Sequence, residues 1–278
     1  MSAAWKVMGV CNATPDSFSD GGLLPTAEAA IAHSLELVEQ GAAIVDVGGE
    51  STRPGADPVD QAEELRRVIP VIEGIAAAAP QLQISIDTMK LGVAQAALEA
   101  GASYINDVSA FTRDPQMAQL VAEAGCDCCL MHMPGSPQTM QQNPHYDDVV
   151  AEVCAFLSER AELALAAGIK RERIAVDPGI GFGKTLEHNL ELLAGLETVA
   201  GLGYRVVIGL SRKRFLGELT GTERPQQRVA ATVAANVLAF ERGASVFRVH
   251  DVRATVDGLK LASATLTRDG RRRRARGK

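Results

Sequence analysis

Asp87, Asn106 and Asp177 each stand at the carboxyl end of a short apolar run: Ile84-Ser85-Ile86, Tyr104-Ile105 and Ile174-Ala175-Val176. Two carboxylates and an amide in such positions suit the recognition of a flat nitrogen heterocycle. A carboxylate can accept two parallel N–H bonds from an amino-pyrimidine edge, as it does from a guanidinium. An amide supplies a donor and an acceptor together. Arg53, Lys213, Arg248 and His250 follow three further runs and would form a cationic rim fit for a phosphate or diphosphate, with arginine forks on the oxygens and lysine as a point charge. Taken singly, each of these residues reads as a structural side chain or a surface ion pair; their recurrence points to a site. Asp177-Pro178-Gly179-Ile180-Gly181-Phe182-Gly183-Lys184 adds a glycine-rich turn before a helix, where free amides can bind anions. Its spacing and ending differ from a P-loop.

The elements that must position these groups alternate regularly. Eight short apolar runs, beginning at Lys6, Ala43, Ile84, Tyr104, Cys129, Ile174, Val206 and Val246, read as strands. Between and after them lie stretches of helical spacing: 26–40, 58–79, 89–100, 115–124, 146–167, 186–200, 225–242 and 252–265. Several end at glycine, a usual helix stop. Eight strand–helix units predict a single closed (β/α)8 TIM barrel, whose strand carboxyl ends carry the site. An open doubly wound sheet is the competitor, but it would gather ligand chemistry at a switch point instead of around the whole chain. Two connections, 11–25 and 49–58, are long for a barrel. The first is rich in turn formers and is expected to be mobile; both have the placement of lids.

Length and composition agree with one domain. The chain has 278 residues, 46% hydrophobic and 22% charged, and a complete barrel needs about 250. No apolar run approaches a membrane span, and no signal peptide is evident at the start. Five cysteines (Cys11, Cys126, Cys128, Cys129, Cys154) are an odd number set mostly in apolar segments. Cys126-Asp127-Cys128-Cys129 lacks zinc-site spacing, so buried thiols in a reducing cytoplasm are expected. His33, His145 and His188 lack partner motifs and are expected at the surface. Residues 268–278 hold seven basic side chains and one acid, giving +6 and leaving −12 for the rest of a chain of net charge −6. A barrel over 1–267 with a disordered basic tail over 268–278 is the expected organisation. The acidic body argues against a nucleic-acid partner.

Several long segments together resemble the dihydropteroate synthases of the pterin-binding family. They are Met8 to Gly22 (MGVCNATPDSFSDGG), Asp46 to Gly55 (DVGGESTRPG), Ile86-Asp87-Thr88, Ile105-Asn106-Asp107-Val108, Met131-His132-Met133, Asp177 to Lys184 (DPGIGFGK), Ser211-Arg212-Lys213 and Arg248-Val249-His250-Asp251-Val252. They run in family order from residue 7 to about 265. The resemblance implies a cytoplasmic homodimer that condenses 7,8-dihydropterin-6-ylmethyl diphosphate with 4-aminobenzoate, giving 7,8-dihydropteroate and diphosphate. It assigns the pterin to Asp87, Asn106, Asp177 and Lys213, and the diphosphate to Thr52, Arg53, Arg248 and His250. Asn12 would hold Mg2+, and Phe18, Pro54 and Phe182 would bind 4-aminobenzoate under two closing loops. Asp87, Lys213 and Asp20 would serve catalysis. Arg214 stands where many members carry a serine on the benzoate carboxylate, so Arg214 itself or a backbone group would take that contact. Ala13 replaces a usual valine. A corrinoid-linked methyltransferase domain would lack the Thr-Pro-Asp-Ser-Phe, Ser-Arg-Lys and Arg-Val-His signatures. A silent pterin-binding paralogue would have lost Asn12, Asp87, Lys213 or His250. Neither loss is seen.

Overall fold

Each apolar run forms a strand: β1 (Lys6–Asn12), β2 (Ile44–Gly48), β3 (Gln83–Asp87), β4 (Tyr104–Asp107), β5 (Asp127–Met131), β6 (Ile174–Asp177), β7 (Arg205–Ile208) and β8 (Val246–Val249). In the computed structural model, which describes residues 5–13, 26–53 and 55–276 with side chains through 266, they close into one barrel in sequential order. All eight pairings are parallel, and β8 returns to β1.

The two-residue period of a strand sorts the side chains. Met8, Ile44, Tyr104, Cys129, Ala175, Val207 and Val246 meet inside the barrel as one buried cluster. Two residues further along their strands, on the same face, stand Asp46, Asn106, Asp177 and Arg248; Asp87 follows Ser85, the register partner of Tyr104, in the same way. The barrel therefore has an apolar floor with a polar layer above it. The alternate residues, such as Val45, Val47, Ile84, Ile86 and Leu130, face outward and pack under the helices with Val68, Ile72, Ile75 and Val93.

The helices are α1 (Ala27–Glu39), α2 (Gln61–Ala78), α3 (Leu91–Glu99), α4 (Gln116–Ala124), α5 (Val149–Ala166), α6 (Leu186–Ala194), α7 (Leu196–Ala200), α8 (Arg214–Thr220), α9 (Val229–Glu241) and α10 (Val252–Arg276). Three details differ from the sequence expectation. The helix over 186–200 is two helices meeting at Gly195, where a Cβ would sit 2.9 Å from Val150 of α5, so only glycine allows the approach. The short α8 is additional; seven residues are too few to show helical periodicity. Finally, α10 continues past Thr265, the expected end of the last helix, through Arg276. Arginine and alanine are good helix formers and no proline interrupts them.

Candidate functional site

The polar layer is organised by one guanidinium. Arg248 donates from Nε to Asp46 Oδ2 at 2.6 Å and from Nη2 to Asp87 Oδ2 at 2.7 Å. Asn106 donates from Nδ2 to the same Asp46 oxygen at 3.1 Å. The strand ends of β2, β3, β4 and β8 are thus tied across the barrel. Asp46 Oδ1 and Asp87 Oδ1 remain buried with no hydrogen-bond partner among the described residues. A buried acceptor left unpaired costs about 1–3 kcal/mol, so this layer presents acceptors for a donor-rich ligand. Burial pushes the Asp87 carboxyl well above its usual range, with Arg248 opposing and Asp46 reinforcing the shift. Asp177 is raised in the same way by burial, with Lys213 opposing, and its Oδ1 accepts from the Gly179 N–H at 2.7 Å. Sequence reasoning gave Asp46 no role. The available signal was a charged residue inside the apolar run Ile44–Val47, since a wholly buried aspartate requires partners.

The glycine-rich turn after β6 wraps the far wall. Gly179 has φ +66°, and a Cβ there would lie 1.9 Å from the His132 carbonyl oxygen. At Gly181, with φ +84°, a Cβ would come within 3.0 Å of the Lys213 side chain. The turn can therefore close on β5 and on Lys213 only with glycine at these points. It presents Phe182, whose ring centroid lies 4.5 Å from Lys213 Nζ, and Lys213 donates to the Ile180 carbonyl. Burial lowers Lys213 to about 8. Beneath the turn, buried Lys184 donates to the Phe182 carbonyl at 2.9 Å and lies 3.0 Å from His132 Nδ1. Burial and then the charge of Lys213 lower Lys184 to about 7, and burial lowers His132 to about 3. Neither His132 nor Lys184 was assigned a role from sequence; their pairing depends on a contact 52 residues apart in the chain.

On the anion side, His250 donates its backbone N–H to Ser211 Oγ at 3.1 Å, and its Nδ1 lies 3.0 Å from the same oxygen. Burial lowers the imidazole to about 3, reinforced by Arg212, Arg248 and Arg53. Thr52 is half-buried and Arg53 exposed in the connection after β2. That connection is anchored by Glu50, which takes the Val59 N–H at 2.9 Å and pairs with Lys90 at 2.7 Å, while Lys90 also pairs with buried Glu64. Asn12 ends β1 in register with Gly48. A Cβ on Gly48 would stand 3.8 Å from both Asn12 Oδ1 and Asp87 Oδ2, so the missing side chain leaves an amide oxygen and a carboxylate flanking one gap. No group of three or more His, Cys, Asp or Glu suited to a metal occurs among the described residues. Mg2+ commonly keeps several waters and is bound through few protein oxygens plus substrate phosphates. The donors at Asn12 fit that mode.

The structure thus brings together Asp87, Asn106, Asp177, Lys213, Phe182, Arg248 and His250, with Asn12, Thr52 and Arg53 at neighbouring strand ends. Arg248, expected in the diphosphate rim, has its guanidinium on Asp46 and Asp87. Arg214 is exposed on α8 and pairs with Glu218 of the same helix at 2.7 Å. Asp20, Phe18 and Pro54, and with them most of the first long connection, lie outside the described residues. All five cysteines are buried free thiols. His188 caps α6 in a reciprocal pair with Thr185.

Comparison with known proteins matches this architecture. The pterin binding enzyme family matches residues 8–250. The dihydropteroate synthase of Neisseria meningitidis serogroup C is 48% identical over 262 residues, covering 93% of this chain and 92% of its own. The Xanthomonas albilineans dihydropteroate synthase with 4-aminobenzoic acid superposes with a TM-score of 0.87 at 54% identity, covering 94% of this chain and 93% of its own. The same enzyme in complex with 7,8-dihydropteroate gives 0.83 at 51% identity, with coverage of 94% and 93%. On the strength of this shared barrel, sequence and site, the chain belongs to the pterin-binding enzymes, among the dihydropteroate synthases.

Proposed function

We propose that this barrel joins 7,8-dihydropterin-6-ylmethyl diphosphate to 4-aminobenzoate, releasing diphosphate and forming 7,8-dihydropteroate. The observation that carries the reading is the buried layer of Asp46, Asp87, Asn106 and Asp177, in which Asp46 and Asp87 keep an unpaired oxygen, next to the His250 imidazole and the Arg53 guanidinium. The Xanthomonas albilineans relative has been solved with 7,8-dihydropteroate, whose pterin ring is the kind of donor-rich ligand this layer suits, and with 4-aminobenzoic acid.

In this reading Asp177 takes the amino-pyrimidine edge, Asn106 and Asp87 take further ring nitrogens, and Lys213 donates to a ring acceptor. The aryl amine attacks the pterin methylene carbon, the C–O bond to diphosphate breaks with its electron pair, and the amine then loses a proton to solvent. Loss of diphosphate is the demanding step, because an aryl amine is a usable nucleophile without a strong base. Thr52, Arg53 and His250 would hold the departing oxygens, and Asp87 would stabilise positive character spreading into the pterin. Arg248 would act mainly by fixing Asp46 and Asp87, within electrostatic reach of the anion. Mg2+ at Asn12 would neutralise charge on the leaving group. Phe182, with Phe18 and Pro54, would pack the benzoate ring, and Asp20 would assist closure over the site.

A cytoplasmic homodimer completes the proposal; five free thiols suit a reducing compartment, and no helix among the described residues is long and apolar enough to cross a membrane. Diphosphate release measured with purified protein and Mg2+ should require both substrates. Release from the pterin diphosphate alone, or none with both present, would overturn the reading.

A further inference from the structure

We infer that Ser211 is a positioning residue that holds His250 in the tautomer protonated at Nε2, so that a neutral imidazole can donate a hydrogen bond to the departing diphosphate. This rests on the assignment of His250 to the anion. The Ser211 hydroxyl oxygen receives the His250 backbone N–H at 3.1 Å, which fills an acceptor position of that oxygen. The ring nitrogen Nδ1 lies 3.0 Å away, and among the described residues the Ser211 hydroxyl has no other side-chain or backbone partner. Its own proton is then available to Nδ1, the only ring nitrogen within its reach. In a neutral imidazole one nitrogen is donor and the other acceptor, so an accepting Nδ1 puts the proton on Nε2.

The need for this arrangement is electrostatic. Largely withdrawn from water and within electrostatic reach of Arg212, Arg248 and Arg53, the part-buried ring is disfavoured from carrying a charge of its own. It can help an anion only through a correctly placed N–H, and the second-nitrogen partner decides which nitrogen has it.

The backbone around Ser211 is built to keep that contact. Arg212 sits at φ +59°, a left-handed conformation uncommon for any residue that carries a Cβ. It is pinned there by a fork onto Asp251 at 2.8 and 3.0 Å, by its N–H to Thr232 Oγ1 at 3.1 Å and by Arg228 on its carbonyl at 2.9 Å. Two consecutive residues after β7, Ser211 and Arg212, thus grip two consecutive residues after β8, His250 and Asp251. The same turn delivers Lys213 to the pterin side, so both halves of the site share one brace.

The direct test is the 15N spectrum of His250 in the full chain, with each histidine assigned by substitution. Nδ1 should resonate as an unprotonated nitrogen and Nε2 as a protonated one. A protonated Nδ1 overturns the inference without any variant of Ser211. The kinetic test is a cycle of Ser211→Ala and His250→Gln. Removing one donor aimed at developing charge costs about 10²–10³-fold in kcat, and a partly mis-set tautomer should cost about tenfold, with KM for 4-aminobenzoate little changed. In the His250→Gln background, where the amide carries its own N–H, Ser211→Ala should cost nothing further. Equal losses in both backgrounds would mean that Ser211 is only structural. An unchanged rate in His250→Ala, which carries no donor, would instead remove His250 from the diphosphate, and the inference with it.

Discussion

At the scale of single residues, three carboxyls at the strand ends divide two cations of the polar layer between them. Asp46 and Asp87 share Arg248, while Asp177 faces Lys213 at the other side. Burial raises both Asp87 and Asp177, which is the expected response of carboxyls removed from water with incomplete pairing. A ligand bringing several N–H donors would complete this layer, and Asp177 offers a clean test. Asp177→Asn keeps an oxygen for the Gly179 amide but replaces the second acceptor by a donor, placed against the donor edge of the ring. Disrupting a buried charged hydrogen bond costs about 2–5 kcal/mol, so a pterin analogue should bind about 30-fold more weakly or worse. Calorimetric titration would show it, and an unchanged Kd would remove Asp177 from the ring. These residues were visible in the sequence because polar groups at the ends of apolar runs are conspicuous. Asp46 was not, because its use depends on Arg248 arriving from 202 residues away.

At the scale of elements, strands and long helices were legible because periods of two and of 3.6 persist over whole segments. What escaped was short or contact-driven: the break at Gly195, set by Val150 of α5, and the seven-residue α8. The joint between β2, α2 and α3 was equally invisible. Lys90 immediately precedes α3 without capping it, and its ammonium pairs with Glu50 after β2 and with Glu64 in α2. Glu64 is fully buried, so this ammonium compensates a charge that water cannot reach. Lys90→Met would leave that carboxylate unpaired, and breaking a buried pair costs about 3–5 kcal/mol. Urea unfolding should register a loss of that order. Because Glu50 anchors the connection that carries Thr52 and Arg53, KM for the pterin diphosphate should rise as well. A stability change below about 1 kcal/mol would show that the joint behaves as an exposed surface pair.

At the scale of the whole molecule, closure of eight strands in chain order follows from the repeated unit itself, which is why the barrel could be read before any contact was known. The extension of α10 to Arg276 could not, since a run of arginines is compatible with either a helix or a solvated tail. Closure also buries titratable groups, and that makes stability depend on pH. His132 lies in the barrel wall against Phe156, with ring centroids 5.0 Å apart, and its folded pKa falls from 6.5 to about 3 through burial and the nearby Lys184. Between those values the unfolded chain binds a proton that the folded chain refuses, so stability rises with pH across this window and is lost as pH falls below 6.5. His250 acts with the same sign. Asp87 and Asp177 act with the opposite sign, since a raised carboxyl contributes stability at low pH that is lost as pH rises through its folded pKa. A substitution separates the contributions. His132→Asn removes one titrating ring while keeping an amide oxygen that can accept from Lys184, and it leaves the opposing carboxyls in place. Unfolding free energies between pH 6.5 and 4.5 should therefore fall by about 2 kcal/mol less in the variant than in the parent. Parallel curves for the two proteins would show that His132 titrates in the folded barrel as it does in the unfolded chain.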